Sequence, residues 1–419
     1  MRPLRCVATS FGSAGDFLPT LAIAAALQRR GHDVRFVANP SYESRVRNAG
    51  LPMVPAGAPF DLFAALESTP AYVDPKNFGL LLRDVVAPEI TATHAVMHEM
   101  LRSEPADVVF VNDFGFGALW AAAAHEVPAA IVTATPLFWP SWRVPAVLGD
   151  RPLLRVLERP VSAIARPLLA VYMDRFLRPL ARTIGTELRD VSFAGSARRA
   201  AAQLGMWSPL LRGPATGDPP NGVICGWTRA SALGGPEPGL APEVESFLES
   251  GPPPVVVGFG SAFSLTAESL LTDVAHACVG EGLRCLVVGH PDGFEVPPGA
   301  LAVRYAPYDR VFPRAAAVVV HGGAGTTGEA LRSGRPVVGL PFGFDQLTLC
   351  AWIERLGVGA RLPSRTRTRA DLAGALRRVL REDVRRRAAE TAPRFAAERD
   401  GAETAADVLE RLADRARRG

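Results

Sequence analysis

Residues 318–329 read Val318-Val319-Val320-His321-Gly322-Gly323-Ala324-Gly325-Thr326-Thr327-Gly328-Glu329. A second apolar run, Val337-Val338-Gly339-Leu340-Pro341, follows, and then the polar pair Asp345-Gln346. The β-branched run predicts a strand ending at His321. The glycines predict a turn, a helix is expected to begin near Thr326, and a second strand should end at Pro341. Strand, glycine turn and helix N-terminus together make an anion site. Bare backbone N–H groups and the positive end of the helix dipole can hold a phosphate without a metal.

The same rhythm runs outward from this stretch. Near the start, residues 4–10 predict a strand, Phe11-Gly12-Ser13-Ala14-Gly15-Asp16 a loop, about 18–30 a helix closed by Gly31, and 34–38 a strand. Strand 106–112, helix 115–124 and strand 129–134 repeat it. Residues 141–205 break the pattern and read as helical, without a good strand. Residues 211–221 (Leu211-Arg-Gly-Pro-Ala-Thr-Gly-Asp-Pro-Pro-Asn221) read as a Pro/Gly-rich linker. The alternation then resumes, with strands at 254–258, 284–289, 302–305, 317–320 and 337–340 and a helix near 268–279. From 371 to the end the chain reads as helical and interrupted near Pro393, with a solvated Arg/Glu face. Alternating β and α at this spacing predicts an α/β chain of two doubly wound parallel-sheet domains, with the cleft between them as the default ligand site.

Composition narrows the chemistry. The chain has 419 residues, 48% hydrophobic, enough for two cores, and a formal charge of +4 that is too small to signal nucleic acid. Lys76 is the only lysine, so there is no Walker A loop, and a Schiff-base lysine would have to be Lys76 in a plain Pro-Lys-Asn-Phe context. The five cysteines are scattered with no Cys-x-x-Cys and read as buried hydrophobes in a reducing cytosol. Neither a signal peptide nor a membrane-spanning apolar run is evident, so the chain reads as soluble and cytoplasmic. No Asp-x-Asp occurs. His94 and His98 stand four apart beside Glu99, but the order is not His-Glu-x-x-His and no third ligand is evident. No metal site is expected.

These residues resemble the family-one nucleotide-sugar-dependent glycosyltransferases of the GT-B fold, in the style of bacterial natural-product and sterol or lipid enzymes, over essentially the whole chain. The resemblance implies two Rossmann-like domains facing across a cleft. Residues 1–212 would bind acceptor, 213–395 would bind donor, and 396–419 would form a C-terminal helix packing back on the N-terminal domain. It implies that His321 contacts the donor diphosphate, with Gly323, Gly325, Thr326, Thr327, Gly260 and Ser261 in the phosphate turns. Tyr305 and Pro307 would take the pyrimidine, Glu329 the ribose hydroxyls, and Asp345 and Gln346 the transferred sugar. Leu349 departs from the asparagine usual in relatives.

In the N-terminal half, Gly15-Asp16-Phe17-Leu18-Pro19 matches the Gly-Asp-x-x-Pro of a subset of bacterial members and the sterol transferases, which puts Asp16 on the general-base position. An inverting transfer needs one group to take the proton of the attacking hydroxyl. Asp16 also suits a second reading, as the cap of the helix that follows. Ser13, Asp113, Phe138, Trp139 and Trp142 are candidates for the acceptor side, the aromatics suggesting a lipophilic aglycone; they also suit a core. Asp113 also reads as a turn aspartate.

The implied reaction is inverting and metal-independent. A sugar passes from a UDP- or dTDP-sugar co-substrate, with no further cofactor, to a hydroxyl of a lipophilic small molecule in antibiotic or secondary-metabolite biosynthesis. Nucleic acid and an integral membrane segment are not expected, and a homodimer stays open. Rival readings are a nicotinamide oxidoreductase, whose Gly-x-Gly-x-x-Gly is missing after the first strand, an epimerase, and a non-catalytic nucleotide-sugar-binding helper.

Overall fold

The computed structural model describes residues 2–73, 77–136, 139, 141, 157–186, 191–229, 239–260, 268–290, 294–363 and 367–418. They fall into two compact units. The first comprises the described residues of Met1–Pro145, Leu154–Pro236 and Arg399–Gly419; the second comprises those of Glu237–Glu398. Each unit is built on one parallel sheet.

The first sheet holds β1 (Arg5–Thr9), β2 (Asp33–Ala38), β3 (Met53–Pro55), β4 (Val108–Asn112), β5 (Ala129–Thr133), β6 (Ala202–Gly205) and β7 (Gly222–Ile224). Their order is β3-β2-β1-β4-β5-β6-β7, every pair parallel. The second holds β8 (Val255–Gly258), β9 (Cys285–Val288), β10 (Ala300–Val303), β11 (Ala317–Val320), β12 (Val337–Gly339) and β13 (Gly359–Arg361), in the order β10-β9-β8-β11-β12-β13. Strands covered by helices on both faces need apolar side chains throughout, so β4, β5, β8 and β11 are buried along their whole length.

The principal helices are α1 (Ala14–Arg29), α2 (Ala87–Ser103), α3 (Phe116–Ala124), α4 (Glu158–Ile184), α5 (Glu268–Gly280), α6 (Ala324–Arg332), α7 (Gln346–Leu356), α8 (Arg369–Val379), α9 (Glu382–Ala396) and α10 (Gly401–Arg418). Helix α10 belongs to the first unit. Its Ala402, Ala405, Ala406, Leu409 and Ala413 join the core formed by α1 and β1. Arg30 holds it by charge, reaching Glu403 at 2.6 Å, Asp407 at 2.8 Å and Glu410 at 3.0 Å. Among the described residues no helix is long and apolar enough to cross a membrane.

Several sequence expectations shift. Segment 141–205 does contain a strand, β6, and segment 211–221 is not an interdomain linker, because it joins β6 to β7 inside the first sheet. Both strands are very short, and Ala-Gln-Leu-Gly carries no β signal until its neighbours supply the ladder. Helix α1 starts at Ala14, not Leu18, so Pro19 lies inside it rather than at its first turn. Pro393 also lies within α9, and the break falls after Ala396. A proline removes one hydrogen bond, which packing offsets along all of the buried α1 and along the one buried stripe of α9.

In each sheet the strand order reverses once, between β1 and β4 and between β8 and β11. Outside the carboxyl ends of those strands two connections leave in opposite directions, opening a crevice for ligands.

Candidate functional site

At the switch point of the second sheet, β11 delivers His321 and β8 delivers Phe259-Gly260 side by side, with Val320 opposite Gly258 in the register. His321 is 7% exposed. Burial pushes its imidazole down to about 4, and a hydrogen bond with the Gly258 backbone pulls the other way. In the ligand-free chain it is therefore uncharged at neutral pH, and the standing positive field beside it comes from another element.

Helix α6 provides that field. It begins at Ala324, two residues before the expected start, with Gly323 as N-cap and no side chain capping it. Among the described residues the first-turn amides of Ala324, Gly325 and Thr326 consequently lack a side-chain partner at the positive end of the helix. Glycine is required at the cap for space: a Cβ on Gly323 would lie 2.4 Å from His321 Nε2. Gly260 (φ +68°) would bring a Cβ to 3.2 Å from Cε1 of the same ring. Gly325 is exposed with open space where a Cβ would be. Thus His321, Gly260, Gly323 and Gly325 come together. Thr326 is nearly buried, and Thr327, expected in the phosphate turn, is fully buried in the next turn with its hydroxyl unpartnered among the described residues. Ser261 lies outside the described residues.

Tyr305 sits two residues past β10 and is 64% exposed, as a stacking platform would be. Pro307 is N-cap to the turn Tyr308–Val311. Glu329 binds Arg332 at 2.6 Å through Oε1, leaving Oε2 without a partner among the described residues. Asp345 is half-buried at the start of α7, behind Phe344, whose φ of +52° is left-handed for a non-glycine. Gln346 is buried and accepts the Phe342 N–H at 2.9 Å, so its carbonyl shapes the loop and only its NH₂ remains for a ligand.

At the switch point of the first sheet, the loop after β1 carries Asp16 as the third residue of α1, with Ser13 as N-cap. Asp16 Oδ2 accepts from Ser13 N–H at 3.1 Å and from Ser13 Oγ at 2.7 Å. Among the described residues Oδ1 accepts nothing. Capping therefore engages only one of the two carboxyl oxygens. Burial raises the carboxyl above the usual carboxylate range, opposed by the two Ser13 hydrogen bonds. The loop is rigid: the Tyr42 hydroxyl donates to Gly12 O at 2.8 Å, and Phe17 stacks on Tyr42 at 4.3 Å. Gly12 (φ +126°) is required there, since a Cβ would sit 2.8 Å from Asp16 Oδ2.

Asp113 is held by Thr133 Oγ1 at 2.9 Å, as a strand-end aspartate. Trp139, expected on an acceptor surface, is instead 6% exposed and packs edge-on against Trp207 at 4.9 Å. Phe138 and Trp142 lie outside the described residues. His94 stacks on His98, which meets His125 at a tilt, and no group of metal-ligating side chains occurs among the described residues. Sequence reading missed Tyr42, Glu89 and Tyr308. Tyr308 was legible only as a neighbour of Tyr305; its buried hydroxyl receives the Gly260 N–H at 3.4 Å.

Two doubly wound parallel sheets on one chain, each with a glycine-lined loop at its switch point, define a two-domain α/β architecture of the nucleotide-binding kind. Residues 6–97 match the glycosyltransferase family 28 N-terminal domain, and residues 287–414 match the erythromycin biosynthesis protein CIII-like C-terminal domain. An uncharacterized glycosyltransferase of Mycobacterium leprae is 30% identical, with 96% of each chain covered. The O-mycaminosyltylonolide 6-deoxyallosyltransferase of Streptomyces fradiae is also 30% identical, covering 98% of each. Among solved structures, the glycosyltransferase of kitacinnamycin superposes with a TM-score of 0.73 at 20% identity, over 99% of this chain and 100% of that one. The glycosyltransferase VinC, solved in complex with dTDP, gives 0.66 at 20% identity over 98% and 100%. The chain belongs to the family-one GT-B glycosyltransferases, and it is a glycosyltransferase.

Proposed function

We propose that the protein is an inverting, metal-independent glycosyltransferase that moves a sugar from a pyrimidine nucleoside diphosphate, dTDP or UDP, to a hydroxyl of a lipophilic small molecule in natural-product biosynthesis. The observation that carries the donor half is the uncapped N-terminus of α6 opening beside His321. In this reading the amides of Ala324, Gly325 and Thr326 hold the diphosphate, Tyr305 stacks on the base, Glu329 Oε2 receives the nucleoside 3′-hydroxyl (and the 2′-hydroxyl where the donor is a UDP-sugar), and Asp345 with the Gln346 NH₂ reads the sugar. As the acceptor oxygen attacks the anomeric carbon, the bond from that carbon to the β-phosphate oxygen breaks. The nucleoside diphosphate leaves with the bond's electrons, and Asp16 Oδ1 takes the acceptor proton. Fixed amide donors at a developing phosphate charge contribute on the order of 2.7–4 kcal/mol each in comparable sites. Metal independence rests on the absence of Asp-x-Asp together with this helix terminus. The relative that transfers a 6-deoxyallosyl group and the dTDP complex of VinC support a dTDP-sugar as donor. Five cysteines, all free, support a reducing cytoplasmic setting.

The decisive experiment compares Asp16→Asn with the parent. Asparagine Oδ1 can keep the Ser13 N–H bond and so preserve α1. The expectation is unchanged dTDP affinity by calorimetry and sugar transfer reduced by about 10²–10⁴-fold, with parent activity indifferent to EDTA. Transfer that survives in Asp16→Asn would remove Asp16 as the base.

A further inference from the structure

The turn from β12 into α7, Pro341-Phe342-Gly343-Phe344-Asp345-Gln346, is tied across itself and tied again from a distant segment. Within the turn, the Gln346 side-chain carbonyl accepts the Phe342 N–H at 2.9 Å, and the Phe342 ring meets the buried Phe259 ring edge-on at 5.9 Å. The second tie is Arg367, a residue that belongs to no motif. Its Nη2 donates to the carbonyl of Pro341, and its guanidinium carbon lies 5.0 Å from the centroid of the Phe342 ring. One cation thus grips the first two residues of the turn, the first by a hydrogen bond and the second through the ring.

Arg367 stands on a fixed base. It immediately precedes Thr368, the N-cap of α8, where Thr368 Oγ1 accepts the Asp371 N–H at 3.2 Å and Asp371 Oδ2 accepts the Thr368 N–H at 3.1 Å. Helix α8 is in turn packed into the core of the second unit by Leu372, Leu376 and Val379. No carboxylate pairs with the half-buried Arg367 among the described residues, and its Nε is buried there without an acceptor. Burial pulls its guanidinium below the ordinary range, opposed only by Cys350. A cation desolvated without a counter-ion costs stability. What Arg367 contributes instead is placement of the Pro341 carbonyl and the Phe342 ring. The turn needs it: Phe344 holds a left-handed φ of +52°, a conformation that persists in a non-glycine only where the surroundings over-determine it.

We propose that Arg367 is a positioning residue that sets selectivity for the transferred sugar. By fixing Pro341 and Phe342 it holds Phe344 in its left-handed conformation, and so keeps Asp345 and the Gln346 NH₂ where they read sugar hydroxyls. The proposal rests on the reading of Asp345 and Gln346 as the sugar-contacting pair. Arg367 acts through the turn and not on the sugar.

The test uses two variants of the full chain. Arg367→Met keeps an apolar stem against Phe342 and removes the donors and the charge; Arg367→Lys keeps the charge and a donor. Segment-resolved hydrogen exchange reads the turn directly, because the Phe342 N–H is bonded to Gln346 and the Thr348 and Leu349 N–H groups to the Asp345 carbonyl. In Arg367→Met these amides are expected to exchange about tenfold faster or more, with α8 as in the parent, and Arg367→Lys should restore part of the protection. Dissociation constants for dTDP and dTDP-glucose read the consequence. Affinity for dTDP should stay within about twofold of the parent, while the factor by which the glucosyl group tightens binding falls toward one in Arg367→Met and returns in part in Arg367→Lys. Parent-like exchange of the turn in Arg367→Met overturns the positioning role with no ligand needed. Faster exchange with an unchanged glucosyl factor overturns the link to the sugar. Faster exchange throughout the second unit, or equal weakening of both ligands, makes Arg367 a structural residue only and also overturns the proposal. If dTDP does not bind the parent, the donor reading falls and takes the sugar link with it, while exchange in the turn still decides whether Arg367 positions it.

Discussion

Replacing Gly323 by alanine isolates the contribution of His321 placement. The backbone there, φ −64° and ψ 147°, suits any residue, so the substitution carries no conformational strain of its own. Its whole effect is steric. The new Cβ would lie 2.4 Å from His321 Nε2 and 2.8 Å from Cε1, whereas ordinary contact begins at 3.4 Å. The ring or the helix start must therefore yield by about 1 Å (3.4 − 2.4), a displacement of the size that disables a prepositioned group. Losing one hydrogen bond to a charged ligand corresponds to about 1.5–3 kcal/mol, or roughly a 10- to 150-fold weaker dTDP complex. Overpacking should also cost the second unit about 1–3 kcal/mol of stability. Isothermal calorimetry with dTDP and a thermal melt measure the two effects. Gly374→Ala is the control: it lies in α8 with its nearest foreign atom at 3.9 Å and should leave dTDP affinity unchanged. If Gly323→Ala binds dTDP within about twofold of the parent while Gly374→Ala behaves as stated, the placement of the diphosphate beside His321 is wrong.

Two further outcomes follow from the geometry. Glu89 has a folded-state pKa raised from 4.5 to about 7. An acid raised in this way costs the fold stability as pH climbs through the window in which the unfolded chain is ionised and the native one is not, and the loss persists above it. The penalty is therefore absent below pH 4.5, grows as pH rises toward 7, and is complete above it. Glu89→Gln keeps an acceptor for Asn39, so its melting temperature should match the parent near pH 4.5 and exceed it above pH 7. The ceiling is roughly 3 kcal/mol, about 6–12 °C for a unit of this size; a difference that does not vary with pH refutes the buried-acid assignment. Tyr305→Ala should weaken dTDP by about 1–3 kcal/mol, the usual range for base stacking, yet leave inorganic pyrophosphate binding unaltered; equal losses for both ligands would remove Tyr305 from the base.

What the chain's own order of residues determined is the local pattern. β-Branched runs such as Val318–Val320 and Val255–Val257 declare buried parallel strands wherever they fall, and the glycines after His321 declare a turn before a helix. Those signals are contiguous, so the two-sheet α/β class and the glycine turn before α6 are legible without coordinates. Tertiary structure decided everything that depends on distant partners. Ala202–Gly205 and Gly222–Ile224 are strands only because β5 supplies a ladder to extend, and α1 begins at Ala14 because Ser13 and Asp16 close a mutual cap over Gly12. Glu89 gave no sign of burial in its helical sequence. It is desolvated because α2 lies against Asn39, 50 residues earlier, and because Asn112 at the end of β4 lines the same small recess. Propensity and motif act over a few residues, whereas burial and the orphaning of a polar atom are set by whichever elements the sheet order brings together.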